Sequence, residues 1–158
     1  MNTPEGRESS QFLWWLKMES LLGRLRLEIY RRFADMGRAP ARGELAGALA
    51  CGVAEVEQGL RELAAGHVIV LLPGTCEIAM AHPFSGVPTA FAVRSGGVSY
   101  WANCAWDALG IAAILHRDTE SRTEEFDLSV REGKPVNASG VVHLLVPAKR
   151  FWDDIAYT

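Results

Sequence analysis

Cys104 and Asp107 stand three residues apart in the run Tyr100-Trp101-Ala102-Asn103-Cys104-Ala105-Trp106-Asp107-Ala108-Leu109-Gly110, where an apolar strand-like segment passes into an apolar helix. On a helix that spacing puts both side chains on one face, with Cβ atoms about 5–6 Å apart. The pair would set a soft nucleophile or metal ligand beside a proton carrier, among the rings of Tyr100, Trp101 and Trp106, which would exclude water. The alternative is a buried structural cysteine next to an aspartate that caps the helix. Cys-x-x-Asp is too short a pattern to choose between these readings on its own.

The remaining candidate groups are more scattered. The three cysteines, Cys51, Cys76 and Cys104, are odd in number, widely separated and without zinc spacing, so reduced thiols are expected. Cys51 reads as a small filler at a turn between helices, and Cys76 as the opening of a strand. His82 precedes Pro83 and either lines a pocket or makes a structural hydrogen bond. His116, at a helix end, is expected against the last carbonyls, and His143 inside an apolar strand. No Gly-x-Ser-x-Gly, phosphate loop or dinucleotide fingerprint is present.

These groups must be positioned by the elements around them. Phe12 to Phe33 reads as one long helix or two short ones, with Leu22, Leu25, Ile29 and Phe33 as its inward stripe and Gly37 and Pro40 at its exit. Arg42 to Ala50 and Val53 to Ala65 follow as helices, the second with Val56, Leu60 and Leu63 apolar and Gly66 as a left-handed cap. His67 to Leu72 and Cys76 to Ala81 form a hairpin around Pro73-Gly74-Thr75. Helices followed by a hairpin give a winged-helix-like module over residues 1–82. Its last helix exposes Glu55, Glu57 and Glu62, which repel phosphate, so the module is expected to be a scaffold and not a reader of DNA.

After Pro83 the pattern changes. Val87 to Arg94 and Val98 to Ala102 read as strands around Ser95-Gly96-Gly97, and Cys104 to Leu115 as a helix buried on most sides. Glu124 to Val130 and Gly140 to Pro147 read as two further strands around Glu132-Gly133-Lys134-Pro135, and Ala148 to Thr158 as an amphipathic end. The expected class is α+β: an N-terminal winged-helix-like module packed on a small mixed β-sheet with one buried helix, residues 83–158 forming the second domain.

A chain of 158 residues is enough for one domain or two small ones sharing a core. Its 49% hydrophobic and 22% charged residues are ordinary for a globular protein. A net charge of −3 argues against a nucleic-acid partner, which would require a basic excess. No apolar run is long enough to span a membrane, and Met1 to Glu8 lacks a signal-peptide core, so a cytoplasmic protein without membrane partners is expected.

Ala81-His82-Pro83-Phe84-Ser85-Gly86-Val87-Pro88-Thr89-Ala90-Phe91, with Tyr100 to Ile111, resembles the organomercurial (alkylmercury) lyase family, in which an aromatic-rich segment carries a Cys-x-x-Asp pair just before a helix. The resemblance implies cleavage of carbon–mercury bonds without an added cofactor. Cys104 would be the thiolate that transiently holds mercury, and Asp107 the acid that protonates the departing carbon. Soft sulfur suits mercury far better than oxygen does, and apolar neighbours would keep Asp107 protonated until needed. Trp101, Trp106, His82 and Phe84 are the candidates for holding the substrate. The partner implied is an organomercurial or another thiophilic small molecule, with a thiol-relay protein as a further one.

The family also uses a second cysteine on a later strand, and no residue after Cys104 is a cysteine. Two other functions therefore stay open. One is a homologue of the same fold that binds a thiophilic metal or small apolar ligand without cleaving it. The other is a winged-helix transcription regulator that responds to a ligand.

Overall fold

The computed structural model describes residues 20–122, 127–136, 143–144 and 146–155. The chain divides into two compact units, Met1–Ala81 and His82–Thr158. Among the described residues no helix is long and apolar enough to cross a membrane.

In the first unit, helix α1 (Leu21–Met36) starts where Ser20 Oγ accepts a hydrogen bond from the Gly23 N–H at 3.1 Å. It stops at Gly37, whose φ of 69° only glycine adopts at no steric cost and whose N–H reaches the Phe33 carbonyl. Its buried stripe is Leu25, Ile29 and Phe33, at strict i, i+4, i+8 spacing. The Phe12 to Leu16 portion of the expected helix lies outside the described residues.

Helix α2 (Arg42–Leu49) has alanine at its N-cap, so the Glu44 carboxylate accepts the Ala41 N–H at 2.7 Å and also pairs with Arg38. Helix α3 (Val53–Ala65) buries Val56, Gly59, Leu60 and Leu63. Each fully buried Leu, Ile, Val or Phe contributes about 1.5–3 kcal/mol, so the buried side chains of these three helices form a substantial core. Glu57 on α3 is tied to Arg42 and Arg61, which draws part of the acidic face into ion pairs.

The cap of α3 differs from expectation. Gly66 has φ −84°, and the left-handed position falls one residue later, at His67 with φ 58°. The Val68 N–H returns to the Leu63 carbonyl at 2.9 Å, closing a Schellman motif. The hairpin follows as β1 (Val70–Leu71) and β2 (Ile78–Ala81), paired antiparallel.

Among the described residues the second unit is an antiparallel sheet with one α-helix and a short 3-10 helix at Ala148–Asp153. Its strands are β3 (Phe84–Ser85), β4 (Phe91–Ser95), β5 (Val98–Ala102), β6 (Thr119–Arg122), β7 (Asp127–Arg131) and β8 (Lys134–Val136), in the order β3-β5-β4-β6-β7-β8. All the pairings among its described residues are antiparallel, where a mixed sheet was expected. Two-residue turns at Gly96-Gly97 and Glu132-Gly133, all with positive φ, match the twist that hairpins need.

Two strands depart from the sequence expectation. Thr119–Arg122 was not expected, because its buried residues are the polar Thr119 and Ser121, which give no apolar alternation. The strand that pairs with β7 after the turn is Lys134–Val136, earlier in the chain than the expected Gly140 to Pro147. Pro135 lacks an N–H, and β8 tolerates it because it lies at the edge of the sheet. His143 and Leu144 are exposed and lie in no strand, which corrects the expectation of His143 inside an apolar strand; residues 137–142 and 145 lie outside the described residues.

Helix α4 (Ala105–Leu115) packs on β4, β5 and β6 and buries Ala108, Ile111 and Ala112. It is buried on one side only: Trp106 and Ile114 are 61% and 44% exposed. An added Cβ on Gly110 would meet the Pro83 ring at 2.9 Å, so only a glycine lets the helix approach this closely.

Two glycine substitutions should therefore move stability in opposite directions. Gly110→Val drives a branched side chain into Pro83 and should cost about 1–3 kcal/mol through overpacking. Gly47→Ala, at an exposed mid-helix position with nothing within 4 Å, should stabilise by up to about 1 kcal/mol. Thermal melting of the two variants checks both signs.

Candidate functional site

The turn from β5 into α4 carries the candidate groups. The Thr89 hydroxyl donates to the Ala102 carbonyl at 2.6 Å, pinning the last residue of β5 to the loop before β4. Cys104 follows as the N-cap of α4 with extended backbone (φ −151°, ψ 179°), and its carbonyl accepts the Ala108 N–H that opens the helix. Asp107 then falls in the first helical turn, where the dipole favours a negative group.

Around Asp107 the second unit assembles a polar cluster. Asn103 Nδ2 donates to Asp107 Oδ2 at 2.9 Å and also faces the carbonyls of Pro83 and Phe84 at 3.3 and 3.4 Å. His82 Nδ1 lies 3.4 Å from the same Oδ2, and the tautomer with hydrogen on Nδ1 donates to it. The Asp107 side chain is 15% exposed and that of His82 35%, so the cluster sits at the edge of solvent. His82 meets the ring of Trp152 edge-on, with centroids 6.1 Å apart. Among the described residues no group of His, Cys, Asp and Glu is arranged to hold a metal ion by itself.

The Cys104 thiol is raised above the ordinary cysteine value, first because it is partly buried and then because the Asp107 charge opposes a second negative charge. The backbone N–H groups of Asp107 and Trp106 pull the other way and do not win. The pull of the helix terminus toward a thiolate is therefore outweighed by desolvation. All three cysteines are free, with Cys76 buried and Cys51 and Cys104 partly exposed.

The sequence candidates separate into those brought together and those not. Cys104, Asp107 and His82 share this corner of the fold. Trp101 is half-buried on the strand face opposite Tyr100. Trp106 points outward and does not screen the pair from water, because on a helix it lies about 100° from Asp107. Phe84 is 1% exposed and packs on Tyr100 at 5.8 Å, so its side chain is part of the core. Asn103 and Trp152 were not singled out by sequence. Asn103 carried a usable signal, its i, i+4 spacing to Asp107, whereas Trp152 reaches His82 across 70 residues without any local sign.

Comparison with known proteins agrees with this architecture. The alkylmercury lyase family model matches residues 84–158, so the likeness of the C-terminal half to that enzyme family is shown. No curated protein matches the chain. A solved structure, the mercury-bound form of MerB2, matches with TM-score 0.61 and 21% identity, over 77% of this chain and 60% of that one. The α+β fold is thus that of MerB2, and the present chain spans 60% of the length of that protein.

The raised thiol has a direct consequence for alkylation. Labelling of Cys104 by iodoacetamide should be slow at neutral pH and reach its midpoint above the ordinary thiol value of 9.0. Asp107→Asn removes the opposing charge and should move that profile to lower pH. Mass-spectrometric mapping across a pH series measures both, and a wild-type midpoint below the ordinary value contradicts the assignment.

Proposed function

We propose that the protein cleaves carbon–mercury bonds in organomercurials, with Cys104 as the mercury-binding sulfur and Asp107 as the proton donor. The observation that carries this reading is the placement of both groups at the start of α4, inside the segment matched by the alkylmercury lyase family.

The chemistry follows from the state of the thiol. Because it is raised, Cys104 keeps its proton at neutral pH until mercury displaces it. As the sulfur–mercury bond forms, the mercury's original anionic ligand leaves and the thiol proton passes to the Asp107 carboxylate. Asp107 then delivers that proton to the carbon. The carbon–mercury electron pair forms the new carbon–hydrogen bond, and the hydrocarbon departs.

Cys104 is the one cysteine of the second unit, so mercury remains on its sulfur with the Asp107 carboxylate as the second ligand. Oxygen holds mercury weakly, and a small external thiol should therefore speed release of the metal. His82, Trp101 and the exposed ring of Trp106 are the groups we assign to the organic part of the substrate. The partner is accordingly a small organomercurial. Residues 1–82 are read as a winged-helix-like scaffold, supported by the acidic exposed face of α3, and residues 83–158 as the lyase-like core.

Two variants test the roles. Asp107→Asn should retain stoichiometric mercury binding but lower hydrocarbon release about 10²–10⁴-fold, the usual contribution of a general acid. Cys104→Ser should lose both binding and release, since a hydroxyl is a hard and poorly ionised ligand. If Asp107 serves only as a helix-terminal group, asparagine replaces it well and release survives. Headspace gas chromatography with phenylmercuric acetate separates these outcomes. Tight mercury binding by the wild type without any hydrocarbon supports instead a homologue that binds thiophilic metals.

A further inference from the structure

We infer that Asn103 is the positioning residue of this site: its amide holds Oδ2 of Asp107 as an acceptor, so the carboxyl carries its transferable proton on Oδ1. The inference rests on the cleavage reading above and adds to it a residue and a specified oxygen.

The hydrogen-bond inventory of Asn103 is one-sided. Its Nδ2 faces three acceptors, Asp107 Oδ2 at 2.9 Å, the Pro83 carbonyl at 3.3 Å and the Phe84 carbonyl at 3.4 Å, with His82 Nδ1 also 3.4 Å away. Its Oδ1 is buried without a partner among the described residues. A buried acceptor left unpaired is unfavourable, yet the amide cannot improve matters by turning over. Rotation would place Oδ1 against a carboxylate oxygen and two carbonyls, all of which repel it. Asn103 can therefore act only as a donor toward Asp107.

That restriction selects an oxygen. With Nδ2–H directed at Oδ2, and His82 Nδ1 3.4 Å from the same atom, a hydrogen on Oδ2 would collide with donors already aimed at it. Oδ1 is the oxygen left to take the proton from Cys104 and pass it to carbon. The Pro83 and Phe84 carbonyls anchor Asn103 from strand β3 and the residue before it, while Gly110 admits Pro83 close to α4. The clamp thus joins the helix carrying Asp107 to the strand beside β5.

The test combines a structural and a kinetic measurement. The chain has three asparagines, Asn2, Asn103 and Asn137, so the side-chain amide of Asn103 is readily assigned by NMR. In the wild type its hydrogens should exchange slowly, and Asp107→Ala should release them to the rate of an exposed amide. With phenylmercuric acetate, Asn103→Ala should lower kcat for benzene release about 10- to 100-fold, the scale of a misplaced reacting group. KM and mercury(II) binding should stay within about twofold, and the solvent deuterium isotope effect on kcat should increase as proton delivery becomes limiting. Asn103→Asp, similar in size but without the donor, should be at least as impaired.

A folded Asn103→Ala variant with undiminished kcat overturns the inference, as does a loss of kcat matched by an equal loss of mercury binding. Fast wild-type exchange of the Asn103 amide overturns it even if neither variant folds. Slow exchange in a wild-type protein that releases no benzene supports the clamp and counts against the cleavage reading alone.

Discussion

The contact on which the corner depends is the hydrogen bond from Asn103 Nδ2 to Asp107 Oδ2. It is made between residues on either side of Cys104, so it fixes how the chain turns from β5 into α4 and where the thiol stands. The same amide faces two carbonyls of the β3 region, which makes the turn part of the sheet and not a free loop. In a partly buried setting such a bond, with a carboxylate as acceptor, is worth about 1.5–3 kcal/mol, more than a neutral pair. The close approach of Gly110 to Pro83 and the Thr89 bond to Ala102 add two further contacts around this turn.

The second physical feature is the contest over the Cys104 proton. A helix N-terminus favours an anion by only about 0.3–1 kcal/mol at an exposed site. Partial burial and a neighbouring carboxylate both oppose the thiolate, and together they prevail. For a reaction that consumes one proton per bond cleaved, this is a workable state. In the reaction we propose, the thiol would store the proton beside the carboxylate that delivers it, and the arrival of mercury, which competes for the same sulfur lone pair, would release it.

Much of this was legible in the sequence because the signals were local. The stripe Leu25, Ile29, Phe33, the turn at Gly96-Gly97, and the Cys104–Asp107 spacing all follow from periodicity or from residue types with special backbone freedom. The failures have a common cause in tertiary context. Thr119 and Ser121 are buried by the sheet although they are polar, and Pro135 occupies a strand because that strand is an edge. Trp106 belongs to an apolar run yet faces outward, since a helix of uniformly apolar composition does not reveal which side is covered. At the site, the cysteine and carboxylate could be named from spacing. The ring of Trp152 against His82 could not, because nothing in the local pattern of either residue encodes the other.

In the reaction we propose, one thiol and one carboxyl, held at the start of α4, suffice to protonate a mercury-bound carbon. The most direct measurement is a single-turnover reaction of the wild-type protein with phenylmercuric acetate in D2O, with the volatile product analysed by mass spectrometry. One equivalent of singly deuterated benzene per chain is expected, with mercury retained until an external thiol is added. Mercury bound at Cys104 with no benzene formed would contradict that reaction.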